Sequence, residues 1–125
     1  MKSYKIAILA GDGIGPEITA EAVKILKVVE ERNAVQFELL HTPFGASAYF
    51  ECGHPYPDAS KAVTDAADAI LKGPIGLNHE DSKKIPVDLQ PERGALLPMR
   101  ARYNTYANIR PVSLPRGLAH FSPLK

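Results

Sequence analysis

Apolar residues lie along this chain in short contiguous runs, broken by glycine, proline and polar stretches, and one longer segment carries them at helical spacing. Residues 4–10 form a short apolar run around Ile6 and Ile8 and predict a buried strand. Gly11-Asp12-Gly13-Ile14-Gly15 then predicts a loop, and Pro16 and Glu17 suit the first turn of a helix. That helix is expected to reach about Arg32, with Ile18, Ala22, Ile25, Leu26 and Val29 on one face, Glu21, Lys24 and Lys27 mostly outside it, and Asn33 as its stop. Residues 35–41 read as a second strand. Strand, helix and strand make a βαβ unit, which implies parallel strands and a right-handed crossover.

Residues 46–52 predict a short helix ended by Gly53-His54-Pro55-Tyr56-Pro57, and Asp58 is expected to cap a helix over 59–67. Ala69-Ile70-Leu71 reads as a third strand, broken by Lys72-Gly73-Pro74-Ile75-Gly76. Residues 77–90 read as a long exposed loop. Residues 91–103 predict a helix in which Pro98 is tolerated best if the helix proper begins at Leu97 or just before. Residues 107–112 look extended, and nothing after Leu114 shows a pattern. The fold class is therefore α/β: βαβ units of a mostly parallel sheet with flanking helices. Three strands fall short of the five or six of a usual sheet, so the sheet is expected to be incomplete.

Composition narrows the classes. The 125 residues fit about one ordinary domain, and 45% hydrophobic with 23% charged residues exclude global disorder. No apolar run approaches the ~20 residues of a membrane helix. The run at 6–10 meets Gly11-Asp12-Gly13 and has no small-residue cleavage site, so it is expected to be a strand and not a signal peptide. A lone Cys52 forms no internal disulfide and fits a cytoplasmic setting; it is expected to behave as a small buried residue. The net charge of +1 hides a split: residues 1–92 hold all fourteen acids against nine bases, whereas 93–125 hold six bases and no acid. One end is thus suited to anions.

Two segments carry candidate chemistry. The glycine loop after the first strand is where α/β proteins bind ligands. However, the G-x-G-x-x-G dinucleotide fingerprint needs its third glycine at position 16, where this chain has proline, and Asp12 would repel phosphates. Glu38 stands near where a ribose-binding acid is expected. The alternative is that these glycines only make a tight turn. In the basic segment, Arg93, Leu96 or Leu97, and Arg100 would share a helical face, with Arg110 following after a turn. Arginine forks beside leucines suit a small di-acid with an apolar branch, and the alternative is a solvated basic face. Six bases with only Tyr103, Tyr106 and Phe121 do not make a nucleic-acid surface. Cys52, His54, His79, Glu80 and Asp81 match no zinc spacing.

Four blocks together resemble the isocitrate/isopropylmalate dehydrogenase family. They are Gly11-Asp12-Gly13-Ile14-Gly15-Pro16-Glu17, Leu71-Lys72-Gly73-Pro74-Ile75-Gly76, Leu96-Leu97-Pro98-Met99-Arg100 with residues 106–112, and Phe121-Ser122-Pro123-Leu124-Lys125. They occur in family order and span the chain. The resemblance implies a metal-dependent, NAD- or NADP-linked oxidation of a 2-hydroxy acid followed by β-decarboxylation. It implies that Arg100 and Arg110 bind the malate carboxylates, that Leu96 and Leu97 meet an isopropyl group, and that Ile14 with Gly73, Pro74, Ile75 and Gly76 lie near the cofactor. It also implies Mg2+ or Mn2+ and a homodimer, with the catalytic tyrosine and lysine and the metal aspartates beyond Lys125. Neither nucleic acid nor a membrane is implied as a partner.

Isocitrate enzymes usually have serine and asparagine where this chain has Gly94 and Leu96, which favours 3-isopropylmalate and leucine biosynthesis. One departure keeps alternatives open. Isopropylmalate enzymes typically carry a glutamate about three residues before the first leucine, where this chain has Arg93, with Glu92 one place off. Either a one-residue insertion shifts the segment or the pocket reads something more acidic, so tartrate, D-malate or isocitrate remain alternatives. The chain is expected to be the N-terminal part of such an enzyme, with 1–99 on the cofactor side and 100–125 beginning a second domain. The competing reading is a non-catalytic module binding an anion or a partner subunit.

Overall fold

The computed structural model describes residues 2–123. Met1 lies outside them, as do Leu124 and Lys125, the last two residues of the fourth family-like block. Three strands, β1 (Lys2–Leu9), β2 (Val35–His41) and β3 (Ala69–Lys72), form one parallel sheet in the order β2-β1-β3. The parallel α/β reading is thus what the chain adopts. The central strand is buried where it is most apolar, from Ile6 to Leu9, and pairs there with Leu39 on one side and Leu71 on the other.

Helix α1 (Gly15–Arg32) links β1 to β2, with Pro16 in its first turn as expected. Its buried residues are Gly15 and Thr19, small side chains that let the helix start close against the loops. The expected apolar face packs only in part: Ala22 and Leu26 are half-buried. Ile18 is 47% exposed, Ile25 64% and Val29 36%. Periodicity shows only that a helix has an apolar stripe; close packing at Gly15 and Thr19 fixes which side faces the sheet.

Helix α2 (Ala46–Cys52) is bounded by two positive-φ glycines, Gly45 and Gly53. Cys52 lies exposed at its end, contrary to the buried reading, because the final turn of this short helix reaches solvent. Helix α3 (Asp58–Ala66) follows, with Asp58 as its first residue and Pro57 at the cap, so Asp58 is not the capping residue. It still places an acid in the first turn, where the helix dipole favours it. Segment 77–90 is not simply an exposed loop. It holds a one-turn helix α4 (His79–Ser82) capped by the Asn78 side chain, a 3-10 turn (Val87–Leu89) and a fully buried anchor, Ile85.

The last helical stretch changes pitch. Pro91–Leu96 is a π turn, and α5 (Leu97–Arg102) begins where Pro98 falls in a first turn, which needs no N–H from it. The core joins Leu9 at the end of β1 to Phe44, Tyr56, Ala95 and Met99, with Phe44 and Tyr56 edge to face at 5.2 Å. Beyond α5 the chain is extended and exposed, apart from a 3-10 helix (Arg116–Phe121) that the sequence did not announce. The accessible surface is 8889 Å², against roughly 6,600 Å² for a compact monomer of this mass. Exposed Tyr106, Ile109 and Val112 on this extended segment account for part of the excess. No helix among the described residues is long and apolar enough to cross a membrane.

Candidate functional site

Ligands of open α/β sheets bind outside the carboxyl ends of the strands, where neighbouring connections diverge. Here that place lies between β1 and β3, and two glycine loops meet there. Gly73 donates to the Leu9 carbonyl at 2.7 Å and Asp12 N–H to the Pro74 carbonyl at 2.9 Å. A Cβ on Gly11 would lie 1.9 Å from Pro74 O, and one on Gly73 would lie 2.1 Å from Ala10 O. The glycines therefore serve close backbone contact between the loops.

Asp12 is only 5% exposed and does not face a phosphate site. Its Oδ2 accepts the N–H groups of Ala46 and Gly76, each at 2.9 Å, and Oδ1 accepts that of Ser47 at 2.8 Å. A buried carboxylate is tolerable only with such partners. The expectation that Asp12 would stand beside phosphates and repel them is thus corrected: three backbone donors draw it inward. What the loops offer outward is Ile14, 63% exposed at the start of α1, and Pro74, with Ile75 half-buried beside it. Pro16 lacks an N–H, and Glu17 places an acid in the first turn of α1. This surface fits the flat face of a ring or sugar better than a pyrophosphate. Glu92 also reaches the site, since a Cβ on Gly76 would lie 3.2 Å from its Oε1.

Beside these loops, β3, α5 and residues 105–109 enclose a cleft of about 620 Å³, a size suited to small ligands. Leu96 and Arg100 line it together with Lys72, Met99, Asn108 and Ile109. Lys72 ends β3, and its ammonium donates to the Gly73 carbonyl at 2.7 Å. Burial pushes its pKa down, the charge of Arg100 pushes it further, and Asp12 opposes them. Two cationic side chains thus face one cleft. The sequence reading passed over Lys72 as part of a loop break, though a lysine ending an apolar strand was a visible signal.

Other expected residues do not gather there. Leu97 is 55% exposed and does not line the cleft, nor does Arg93. The shared face assumed continuous α spacing, whereas the π turn bonds Leu97 N–H to the Glu92 carbonyl five residues back and shifts the register. Arg110 is exposed on the extended segment, its Nε donating to Asn108 Oδ1 at 3.4 Å. Arg102 is engaged elsewhere: it forms a two-pronged ion pair with Asp65 of α3, whose Oδ1 also accepts the Tyr103 hydroxyl at 2.8 Å. Those two donors hold the Asp65 carboxyl down at about 2. Burial pushes the Tyr103 phenol up to about 12. Among the described residues no three His, Cys, Asp or Glu side chains converge in a way that could hold a metal ion.

Known proteins resemble this chain in sequence and in fold. The family model described as isocitrate/isopropylmalate dehydrogenase matches residues 5–125. The 3-isopropylmalate dehydrogenase of Haemophilus influenzae is 45% identical over 125 residues, all of this chain and 34% of that protein. That of Thermotoga maritima is 45% identical over 121 residues, 97% of this chain and again 34% of that protein. The chain therefore spans about a third of the length of the curated relatives it matches. Among solved structures, a β-decarboxylating dehydrogenase from Thermococcus kodakarensis superposes with a TM-score of 0.58 at 33% identity, covering 82% of this chain and 27% of that one. An isocitrate dehydrogenase from Methylococcus capsulatus gives 0.53 at 33% identity, covering 61% and 21%.

Proposed function

The chain belongs to the isocitrate/isopropylmalate dehydrogenase family, and from that premise we propose that it forms part of a β-decarboxylating 2-hydroxy-acid dehydrogenase acting on 3-isopropylmalate. The observation that carries this reading is the placement of Arg100 and Leu96 in one cleft. A guanidinium beside an apolar wall matches a substrate with a carboxylate next to a branched alkyl group. In this reading Arg100 grips one malate carboxylate, and Arg110 reaches the other from the segment whose residues 105–109 form the rim. Leu96 contacts the isopropyl group, with Leu97 beside it.

Ile14 and the Gly73, Pro74, Ile75, Gly76 loop would hold NAD or NADP by ring and sugar contacts, and the bound cofactor would supply the hydride acceptor. The chain's own contribution is to bind and orient the acid. Asp12 keeps the two cofactor-side loops locked together while Arg100 holds the carboxylate beside them. The described residues do not fit an Mg2+ or Mn2+ cage. Residues 1–99 are proposed to serve the cofactor side and 100–125 to begin the substrate side, in a cytoplasmic homodimer working in leucine biosynthesis.

The test is steady-state kinetics of the intact polypeptide with 3-isopropylmalate. Arg100→Ala and Arg110→Ala should each lower kcat/KM by about 2–5 kcal/mol in transition-state binding, as for one partner lost from a buried charge pair. A loss below about tenfold for both would remove the assigned role. Lys72 supports a second reading. A second cation next to Arg100 suits a more acidic substrate of the isocitrate type, and comparing kcat/KM for isocitrate, tartrate, D-malate and 3-isopropylmalate separates the two.

A further inference from the structure

Two arginines lie in the last turn of α5, yet only Arg100 lines the cleft. Arg102 lies two residues on in the same helix and carries the same fork. What separates them is Asp65. Its carboxylate takes Nε of Arg102 at 2.7 Å together with Nη2, and takes the Tyr103 hydroxyl at 2.8 Å. We infer that Asp65 is a positioning residue: by capturing Arg102 and Tyr103 it fixes the rotation of α5 and leaves Arg100 as the guanidinium presented to the substrate. This rests on the substrate role proposed for Arg100.

The geometry supports an orienting role in three ways. Met99, with Ala95 and Leu96 just before α5 and Tyr103 just after it, seats the helix in the core, but apolar packing has no direction of its own. A two-pronged carboxylate bond has a fixed plane and a fixed direction, which Met99 does not supply. The tie also joins α5 to a helix 37 residues earlier in the chain, the one that precedes β3. Lys72 of that strand faces Arg100 across the cleft.

The end of α5 is built to pass this orientation on. Asn104 adopts a left-handed backbone, φ 49°, and donates to the Ala101 carbonyl at 3.1 Å. Thr105 donates both its N–H, at 3.1 Å, and its hydroxyl, at 3.2 Å, to the carbonyl of Arg100 itself. The start of the segment leading to Arg110 is therefore tied to the Arg100 backbone. Asp65 has a second effect on charge. Arg102 is occupied, so it does not compete with Arg100 for a substrate carboxylate.

An exposed ion pair adds little stability by itself, so the size of a stability loss at one pH does not test the orienting role. The test is kinetic, on the intact enzyme with its 2-hydroxy acid. Asp65→Asn should raise KM for the acid roughly tenfold or more, with kcat changed far less, since small misplacements of a binding group carry large losses. Exchanging the charges (Asp65→Arg with Arg102→Asp) should recover most of the lost affinity. In an Arg100→Ala background, Asp65→Asn should add nothing further.

If Asp65→Asn does not fold, Tyr103→Phe removes a single donor to the same carboxylate, and a smaller rise in KM is the expected result. A lowered melting temperature with KM unchanged would overturn the proposal, as would a full, additive effect in the Arg100→Ala background. Arg100→Ala leaving KM unchanged would overturn the substrate site itself, a failure that this single variant separates from the others.

Discussion

The carboxylate of Asp12 accepts the backbone N–H of Gly76 at 2.9 Å across 64 residues of sequence. That bond, with those from Ala46 and Ser47, locks together the first strand–helix loop, the start of α2 and the loop after β3. Asp12→Asn keeps the shape but turns one acceptor into a donor facing backbone N–H groups. It should cost about 1–3 kcal/mol, the penalty for a buried polar group left unsatisfied. Denaturant unfolding of the intact polypeptide measures this. A loss under about 0.5 kcal/mol, the scale of an ordinary surface change, would count against the latch.

The glycines of the same loop separate two costs. Gly11 and Gly13 both have positive φ, at 78° and 58°, but a Cβ on Gly13 meets nothing within 4 Å, whereas one on Gly11 would strike the Pro74 carbonyl at 1.9 Å. Gly13→Ala should therefore cost only the backbone preference, about 1–2 kcal/mol. Gly11→Ala adds a collision with fixed backbone and should exceed about 3 kcal/mol or abolish folding. Equal losses would show that the loops do not touch in solution.

Much of this was legible in the sequence, and the misses have physical reasons. β2 follows from the alternation of Val35, Phe37 and Leu39 with polar residues, and α2 from an apolar run between Gly45 and Gly53, which are local signals. The role of Asp12 was not legible, because its partners lie 34, 35 and 64 residues away. The packed face of α1 was legible only in part, because Gly15 and Thr19 are chosen for size and not for hydropathy. Pro98 did signal a change of pitch near Leu97, but only the structure shows a π turn before it. Glu92, at the start of that turn, comes close to Gly76.

Leu96 and Leu97 differ in surroundings, and their substitutions should differ too. Leu96 lines the cleft and packs on the core, while Leu97 is 55% exposed. Leu96→Asn should therefore lower kcat/KM for 3-isopropylmalate more than for D-malate, by about 1–3 kcal/mol for the lost apolar contact. Leu97→Asn should move that ratio much less. Equal ratios for wild type and Leu96→Asn would remove Leu96 as a specificity contact.

Lys72 decides between the two substrate readings. Lys72→Met keeps the length of the stem and removes the charge beside Arg100. If the cleft takes a branched alkyl group, the ratio of kcat/KM for 3-isopropylmalate over isocitrate should rise or hold. If it takes an additional carboxylate, isocitrate turnover should fall by roughly tenfold or more while 3-isopropylmalate is spared. A uniform fall for both acids would place Lys72 in support of the fold through its bond to the Gly73 carbonyl.

The Asp65 carboxyl carries a pH signature whose sign is fixed by its partners. Hydrogen bonds from Arg102 and then Tyr103 lower it from 3.8 to about 2. A carboxyl lowered on folding adds stability that is fully present above its unfolded value and lost as pH falls through the folded one. Wild type and Asp65→Asn should therefore differ by a constant amount above about pH 5. The difference should shrink between pH 4 and pH 2 as the pair is protonated. Melting temperatures of the two proteins across that range measure it. A gap that stays constant down to pH 2 would mean that the Asp65–Arg102 pair does not form in solution.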